Sequence, residues 1–334
     1  MFCFCWNLLR VQNHCQDRIR QMLQLIWSVR EGASFVLWVS LMTTAFAPSF
    51  ALSSQMKPVK MIEPHAAPSF SIKRSVVMVM YLENQNKTTL KDHVITVRIP
   101  LSKTSFQTLE KIEIRPKFPI SEICTTKEAA WIKFHTLSIK PFERKGIRLY
   151  FTLSINKLPL DLCEHDLNTY LGAESYMDTN DAHLRTLGRQ LKRHNVYHSA
   201  FATYRWVRDN VAYSGYKQKV TGASATLKAR KGDCTELACL FAALCRINNI
   251  PSRVMGGYLC DECARLTSAF YHNWAEFYYE GAWHIADPAK RVFDRDGSSY
   301  IAFEVCSSRI ANPVGLFKRY KFENEPKNLK IIWE

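Results

Sequence analysis

The sequence predicts an all-β domain followed by a domain that mixes helices and strands. The first observation is alternation: Ile95, Val97 and Ile99 are separated by polar residues, and similar short runs recur from about residue 75 to about residue 155. The second is a change to helical spacing beyond residue 161, as at Leu184, Leu187 and Leu191. The length of 334 residues is also enough for about two domains.

The composition is typical of a folded chain with an anionic partner. Apolar residues make up 47% and aromatic residues 12%, which excludes a disordered chain. The formal net charge of +15 favours negatively charged partners. No zinc finger, RNA-binding aromatic signature or basic zipper accompanies this charge, so we expect no nucleic-acid partner.

An uncharged apolar run at residues 35–47, FVLWVSLMTTAFA, indicates a secretory signal. It follows Arg30, and the small residues Ser49 and Ala51 suit cleavage after Ala51. The run is shorter than the about 20 residues that span a bilayer, although an uncleaved anchor stays open. Met22 is an alternative start that would give a signal of ordinary length. We therefore expect an exported protein, periplasmic or secreted, that meets the membrane only transiently through this segment.

Export makes the cysteines informative, because disulfides persist in oxidising compartments. Cleavage would leave eight of the eleven, namely Cys124, Cys163, Cys234, Cys239, Cys245, Cys260, Cys263 and Cys306. If one is catalytic, the remaining odd number cannot all be paired. Cys260 and Cys263 form a CDEC segment, which suits a disulfide or two ordinary thiols. It would be only half of a structural zinc site, since zinc needs four ligands, so we expect no metal.

These signals divide the chain into four segments. Residues 1–51 are the signal peptide, and residues 52–72, rich in Pro, Ser and Ala, are a linker. Residues 73–160 form the sandwich-like β domain, and residues 161–334 form the domain of helices and strands.

The stretch GDCTE at residues 232–236 predicts the start of a helix. Asp233 suits the N-cap, and Glu236 completes a capping box three residues later. The apolar residues that follow lie on one buried helical face: Leu237, Leu240, Phe241, Leu244 and Ile247. Cys234 is then the first helical residue, where the positive end of the helix dipole favours a thiolate. Cys239 and Cys245 lie further along and are predicted to be small buried hydrophobic residues.

The stretch from residue 271 to residue 290 predicts a β-hairpin with a turn at Glu280-Gly281. In that register Trp274 lies opposite Asp287, with His272 as the diagonal neighbour of Asp287. A shift of one residue in each strand would place His272 directly opposite Asp287. Both registers put His272 and Asp287 on one face, whereas alternation puts His284 on the other. A carboxylate beside an imidazole orients it, as in a nucleophile–base–acid triad.

At these residues the sequence resembles the transglutaminase-like superfamily of papain-like thiol enzymes. The resemblance rests on RKGDCTELACLFAALCRINNIPSRVMGGY and HNWAEFYYEGAWHIADP, with WVRDNVAYSGY as a lead-in helix, and it covers about residues 196–290. It implies a papain-like α+β core, preceded by an all-β sandwich as in exported bacterial members. It also implies that Cys234 is the nucleophile, His272 the base and Asp287 the orienting acid. Asn273 and Ala289 depart mildly from the family pattern.

The resemblance implies acyl transfer without a cofactor, and no acidic calcium sites are visible. The Cys234 thiolate would attack a peptide or carboxamide carbonyl, and the amine would leave with a proton from His272. The backbone N–H of Cys234 would hold the oxyanion, with Tyr213 or Trp274 as candidates for the second donor.

The leading interpretation is an exported thiol hydrolase that acts on peptide or amide bonds of a peptide or protein substrate. A cross-linking transamidase and a non-catalytic binding module are the alternatives. Basic residues before the nucleophile would favour a carboxylate-bearing substrate such as a cell-wall peptide, or they form a solvated loop: Lys217, Lys219, Lys228, Arg230 and Lys231.

Overall fold

Residues 71–334 are described by a computed structural model, apart from positions 92, 118, 136, 137, 163, 165 and 263. All of them fall within one structural unit, residues 65–334. Several predictions concern residues outside the described ones and stay predictions. They are the signal peptide, the linker up to residue 70, and the pairing of Cys163 and Cys263.

Alternating apolar residues build two antiparallel sheets in the N-terminal half. In β6, for example, Leu149, Phe151 and Leu153 are buried while Arg148 and Tyr150 are exposed. This period of two is what a half-buried strand requires. The six strands are β1 (Ser71–Asn84), β2 (Val94–Arg98), β3 (Gln107–Arg115), β4 (Ile120–Thr125), β5 (Ala130–His135) and β6 (Arg144–Asn156). The predicted strand-rich N-terminal region is confirmed.

Each of these sheets is completed by a strand from the far end of the chain. The strand β14 (Tyr320–Phe322) pairs with β2, and β15 (Leu329–Trp333) pairs with β1. The two sheets therefore run in the orders β15-β1-β6-β3 and β14-β2-β5-β4. The predicted domain boundary at residue 160 stays a prediction, but the last two strands lie in the sheets of the first half.

Four α-helices form the helical part of the described chain. They are α1 (Ala182–Leu191), α2 (Val196–Asn210), α3 (Ala223–Ala229) and α4 (Cys234–Ile247). Two short 3₁₀ helices, Asn168–Tyr170 and Ser268–Phe270, accompany them. Asn195 caps α2, because its side chain accepts a hydrogen bond from the backbone N–H of His198 over 2.8 Å. Among the described residues, no helix combines the length and apolar character that a membrane crossing needs.

The helix α4 packs against a five-stranded antiparallel sheet. Its strands run in the order β12-β11-β10-β9-β13, and a separate parallel pair, β7-β8, leads into α4. Their bounds are β7 (Ala212–Tyr213), β8 (Lys231–Gly232), β9 (Ser252–Leu259), β10 (Tyr271–Tyr279), β11 (Ala282–Asp287), β12 (Val292–Phe293) and β13 (Tyr300–Val305). Every residue of α4 from Thr235 to Arg246 is buried, so this helix is central to the core.

The hairpin β10-β11 turns at Glu280-Gly281, as the sequence predicts. Tyr279 pairs with Ala282, and the φ angles of Glu280 and Gly281 are 46° and 86°. Two positive φ angles are the requirement of the tight hairpin turn that matches the twist of the flanking strands. The register places Ala275 opposite Ala286. One step further Trp274 meets Asp287, which is the first of the two predicted registers.

Candidate active site

Cys234 is the first residue of α4, and its position is set by the predicted capping box. The Asp233 carboxylate accepts from the backbone N–H of Thr235 over 2.8 Å, and Glu236 Oε2 accepts from the backbone N–H of Asp233 over 3.0 Å. Gly232 is required just before, because a Cβ there would lie 2.5 Å from the Cβ of Glu236. Since the N–H groups of a first helical turn lack acceptors within the helix, that of Cys234 is available to an oxyanion.

The two capping carboxylates also anchor the loop that precedes the nucleophile. Asp233 Oδ2 accepts from the backbone N–H of Lys217 over 2.9 Å, and Glu236 Oε1 accepts from that of Thr221 over 3.0 Å. Burial would raise the pKa of Asp233, but hydrogen bonds from Glu236 and from backbone N–H groups lower it. Burial and the bond to Asp233 raise the pKa of Glu236. Of the two carboxyl groups, Glu236 is therefore the one that takes up a proton more readily.

The structure brings His272 and Asp287 into direct contact. His272 Nε2 lies 2.7 Å from Asp287 Oδ2, and the two residues are only 5% and 1% exposed. The other carboxylate oxygen, Oδ1, accepts from the backbone N–H of Lys290 over 3.0 Å. Asp287 is therefore held at both oxygens, which fixes the plane in which it meets the imidazole.

The remaining ring nitrogen of His272 is left for the thiol. Burial would lower the pKa of His272, but hydrogen bonds to Asp287 and Cys234 and their negative charges raise it to about 9. Since Nε2 is bonded to Asp287, Nδ1 is the ring nitrogen left for Cys234. The structure thus brings Cys234, His272 and Asp287 together, with His272 bonded to both of the others.

The other described cysteines offer no comparable thiol. Cys124, Cys234, Cys239, Cys245 and Cys306 are free thiols. Cys239 and Cys245 are fully buried, and burial raises the pKa of both thiols, that of Cys245 to about 12. They are the small buried residues that the sequence predicts. Cys260, the described half of the CDEC segment, donates to the carbonyl of Glu262 over 2.8 Å.

The thiol opens into a cleft of about 920 Å³ whose lining includes five aromatic rings. The aromatic rings are those of Tyr213, Tyr216, Phe270, Tyr271 and Phe317. The cationic residues Lys290 and Arg319 also line it. None of the five basic residues that the sequence singles out is among the described residues of this lining.

The structure separates the two candidates for the second oxyanion donor. Tyr213 lines the cleft and is 58% exposed, and burial and the charge of Cys234 raise the pKa of its hydroxyl. Trp274 is only 1% exposed, and its indole N–H donates to Glu276 Oε1 over 3.3 Å. The Trp274 donor is therefore already engaged, whereas the Tyr213 side chain lines the same cleft as Cys234. His284, on the opposite face, lies 2.7 Å from Asp294.

Sequence reasoning missed two residues that hold the site together. The hydroxyl of Tyr300 donates to Asp287 Oδ2 over 2.9 Å. Asn273 Oδ1 accepts from the hydroxyl of Thr235 over 3.0 Å, which ties the start of α4 to β10. Asn273 was visible as a departure from the family pattern, but no motif or spacing marks Tyr300.

Among the described residues, no group of three or more His, Cys, Asp or Glu side chains is arranged to hold a metal ion. The groups that the described site offers are a thiol, an imidazole, a carboxylate and the hydroxyl and N–H donors around them.

Comparison with known proteins shows which family and fold this chain resembles. The family model of the transglutaminase-like superfamily matches residues 185–288, a range that contains Cys234, His272 and Asp287. No curated protein matches the sequence. The structure is similar to that of a candidate cysteine protease from Cytophaga hutchinsonii, with 18% identity, a TM-score of 0.51, and coverage of 79% of this chain and 92% of the other.

A second similar structure is the periplasmic domain of TgpA from Pseudomonas aeruginosa. It is 18% identical and covers 63% of this chain and 87% of that domain, with a TM-score of 0.36 that adds no support. The first neighbour supports the fold alone, and the family model supports the core. The part of the chain that is similar to the transglutaminase-like superfamily is therefore residues 185–288.

Proposed function

We propose that this protein is a cysteine-dependent acyl-transfer enzyme that hydrolyses peptide or carboxamide bonds. The observation that carries the proposal is the hydrogen-bonded series from Cys234 through His272 to Asp287, with the thiol open to the cleft. A buried thiol would have no access to a substrate, and an isolated imidazole would have no orienting partner. The match of residues 185–288 to the model of the transglutaminase-like superfamily supports the same chemistry.

The first half of the reaction forms a thioester. The Cys234 thiolate attacks the carbonyl carbon, and the resulting oxyanion accepts hydrogen bonds from the backbone N–H of Cys234 and the hydroxyl of Tyr213. His272 Nδ1 then gives a proton to the leaving nitrogen as the C–N bond breaks. Asp287 stabilises the imidazolium through Nε2, the role of the acid in a triad.

The second half releases the acyl group. A water molecule enters the cleft and attacks the thioester while His272 takes its proton. The C–S bond breaks, the carboxylic acid leaves, and the proton on His272 restores the starting state with Cys234. If a primary amine attacks instead of water, the same site performs transamidation.

Alkylation tests whether Cys234 is an activated nucleophile. We would treat the wild type and His272→Ala with iodoacetamide over a pH series and map the modified cysteines by mass spectrometry. Cys239 and Cys245 serve as internal controls, because both are fully buried. We expect rapid modification of Cys234 at mildly acidic pH, and a profile shifted to higher pH in His272→Ala. Slow modification of Cys234 in both proteins would contradict the catalytic assignment.

Product analysis separates the reaction classes. A mixture of glutamine-containing peptides and a fluorescent primary amine would be incubated with the wild type and with Cys234→Ser. Ammonia or peptide release without amine incorporation supports hydrolysis, whereas incorporation supports a cross-linking transamidase. A reactive Cys234 that turns over no peptide would indicate a binding module instead.

We also propose that the protein is exported, on the basis of the apolar run at residues 35–47. Expression of the full sequence in a bacterium, followed by fractionation and N-terminal sequencing, tests this. A mature N-terminus at Leu52 supports cleavage after Ala51. An intact N-terminus in the membrane fraction supports an anchor, and an intact soluble protein contradicts export.

A further inference from the structure

The charged residues that line the cleft are all cationic. Of the thirteen described residues that line it, Lys290 and Arg319 carry permanent positive charges, and none is Asp or Glu. Protonated His272 would add a third positive charge. A substrate that brings a carboxylate would therefore find complementary charge there, and one that brings a cation would not.

Lys290 is held at a fixed position relative to the triad. Its backbone N–H donates to Oδ1 of Asp287 over 3.0 Å, so the residue follows the carboxylate that orients His272. Its side chain is exposed and makes no ion pair within the described part of the chain. The ammonium group is therefore free to meet an anion next to the thiol.

Arg319 offers a donor that the protein itself leaves unused. Its Nη1 is buried and has no hydrogen-bond acceptor among the described residues. The rest of the side chain is fixed, because the guanidinium carbon lies 5.2 Å from the Trp333 ring centroid and the group hydrogen-bonds to Tyr258. A buried donor without an acceptor is unfavourable, and a carboxylate fits the planar fork of a guanidinium.

The positive charge of the helical region favours the same class of ligand, one that carries a carboxylate. Residues 182–231, which include three of the four helices, carry eleven lysine and arginine residues and a single carboxylate, Asp209. Asp209 is itself paired with Arg208 over 2.7 Å. A surface of one sign raises the local concentration of oppositely charged ligands and their association rate.

On these grounds, and resting on the proposed function, we propose that the enzyme selects acyl donors that carry a carboxylate, which Lys290 and Arg319 bind in the cleft. In a peptide, the carboxylate comes from an Asp or Glu side chain or from the chain's C-terminus. The aromatic rings of Tyr213, Tyr216 and Phe270 provide the flat walls along which the neutral part of the peptide packs.

Paired affinity labels test the inference without knowledge of the natural substrate. Chloroacetyl-Gly-Gly with a free carboxylate is compared with its C-terminal carboxamide, and chloroacetyl-Gly-Glu-amide with chloroacetyl-Gly-Gln-amide. Each pair differs only in one charge, and the first tests a C-terminal carboxylate while the second tests a side-chain carboxylate. The readout is the ratio of the two alkylation rates at Cys234 in full-length protein.

We expect the carboxylate member of at least one pair to react about tenfold faster, with a rate that saturates, since a charge-assisted hydrogen bond is worth about one such factor. Lys290→Met and Arg319→Gln should each reduce that ratio. Lys330→Met removes one exposed positive charge on β15, outside the described lining of the cleft, and should leave the ratio unchanged.

Each failure points to a different conclusion. Equal rates for both members of both pairs, with Cys234 reactive, would overturn the inference and leave the proposed function standing. A Cys234 that reacts with none of the four labels would overturn the proposed function. A carboxylate preference that persists in Lys290→Met and Arg319→Gln, or that falls equally in Lys330→Met, would overturn the assignment to these two residues.

Discussion

The hydroxyl of Tyr300 donates a hydrogen bond to Oδ2 of Asp287 over 2.9 Å, at the same oxygen that meets Nε2 of His272. Tyr300 begins β13, at the far edge of the sheet from β11, where Asp287 lies. Its ring is itself fixed by edge-on contact with Trp274, at 5.0 Å between centroids. The Asp287 carboxylate is thus held by residues of both β10 and β13, which makes Tyr300 a positioning residue for His272.

Tyr300→Phe should therefore weaken the triad without removing any of its members. Without the hydroxyl, Asp287 is held less firmly and its bond to His272 weakens. We expect kcat/KM to fall about tenfold or more, because hydrogen bonds to charged groups are worth about 1.5–3 kcal/mol. We also expect the pKa of His272 to move down from about 9, measured by NMR titration of the histidine ring.

Tyr170→Phe is the matched control for this change. The hydroxyl of Tyr170 also donates to a carboxylate over 2.9 Å, that of Glu128, and Tyr170 is also buried. It should lower stability by a similar amount and leave the pKa of His272 unchanged. If Tyr300→Phe leaves the pKa of His272 unchanged, as Tyr170→Phe should, then Tyr300 contributes only to packing and does not position His272.

The raised pKa of His272 predicts a particular dependence of stability on pH. Burial opposes the charged form, but the bonds to Asp287 and Cys234 raise the pKa to about 9, whereas an unfolded histidine has a pKa of about 6.5. The stabilisation is therefore complete below about pH 6.5 and is lost as the pH rises through about 9. Its full size is about 3 kcal/mol, at about 1.4 kcal/mol per pKa unit.

Urea unfolding of the wild type and of His272→Asn over that pH range measures this contribution. Other titrating groups are common to both proteins, so the difference in unfolding free energy isolates His272. The difference should shrink as the pH rises. A difference that is constant, or that grows with pH, would contradict the proton held between Asp287 and Cys234.

The capping box predicts that Asp233 contributes both to the stability of the protein and to the reactivity of the Cys234 thiol. Asp233→Ala removes the acceptor for Thr235 and for Lys217, so the first turn of α4 loosens around Cys234. We expect a loss of about 1–2 kcal/mol in unfolding free energy and slower alkylation of Cys234. Urea unfolding and mass mapping give the two values.

Asp181→Ala provides the comparison, because Asp181 caps α1 through the backbone N–H of Leu184 over 2.9 Å. It should cost similar stability but leave alkylation of Cys234 unchanged. If both variants slow alkylation equally, the effect of Asp233 would be general loosening and not placement of the nucleophile.

A buried ion pair joins the neighbouring strands β9 and β10. Arg253 Nη2 and Glu276 Oε2 are 2.8 Å apart, and both residues are 2% exposed. Glu276→Gln leaves the guanidinium without its main partner, so we expect a loss of about 3–5 kcal/mol. The double variant Arg253→Met with Glu276→Gln should cost less than the sum of the single changes, as a double-mutant cycle would show.

The exposed pair of Arg144 and Glu334, also in contact at 2.6 Å, serves as the control. Because solvent screens it, Glu334→Gln should cost less than about 1 kcal/mol. A similar cost for both pairs would mean that burial does not set the energy of the Arg253–Glu276 contact.

The parts of the site that could be predicted from the sequence are those set by neighbouring residues. The start of α4 follows from Asp233 and Glu236, which are three residues apart, and the hairpin follows from Glu280-Gly281. Even the Arg253–Glu276 pair lies within two quoted motifs, IPSRV and HNWAE, although the sequence did not show that the two residues are register partners.

The rest depends on contacts between distant residues. Alternation identifies a strand but not its partner, so the pairing of β15 with β1 could not be read from either segment. Tyr300 reaches Asp287 across β9 and β10, and no local pattern encodes that distance. Trp274 shares a strand face with His272, as alternation predicts, yet Glu276 rather than the cleft receives its N–H.

The pairing of β14 and β15 with strands from the first half has a consequence for protein synthesis. While the chain is still on the ribosome, β1 and β2 emerge long before Tyr320–Trp333 is translated. Until then, β1 and β2 each lack a partner strand on one edge. The two sheets can reach their full number of strands only after translation of that segment. A tag or a proteolytic cut near Leu329 would therefore disturb the N-terminal half of the molecule, far from it in sequence.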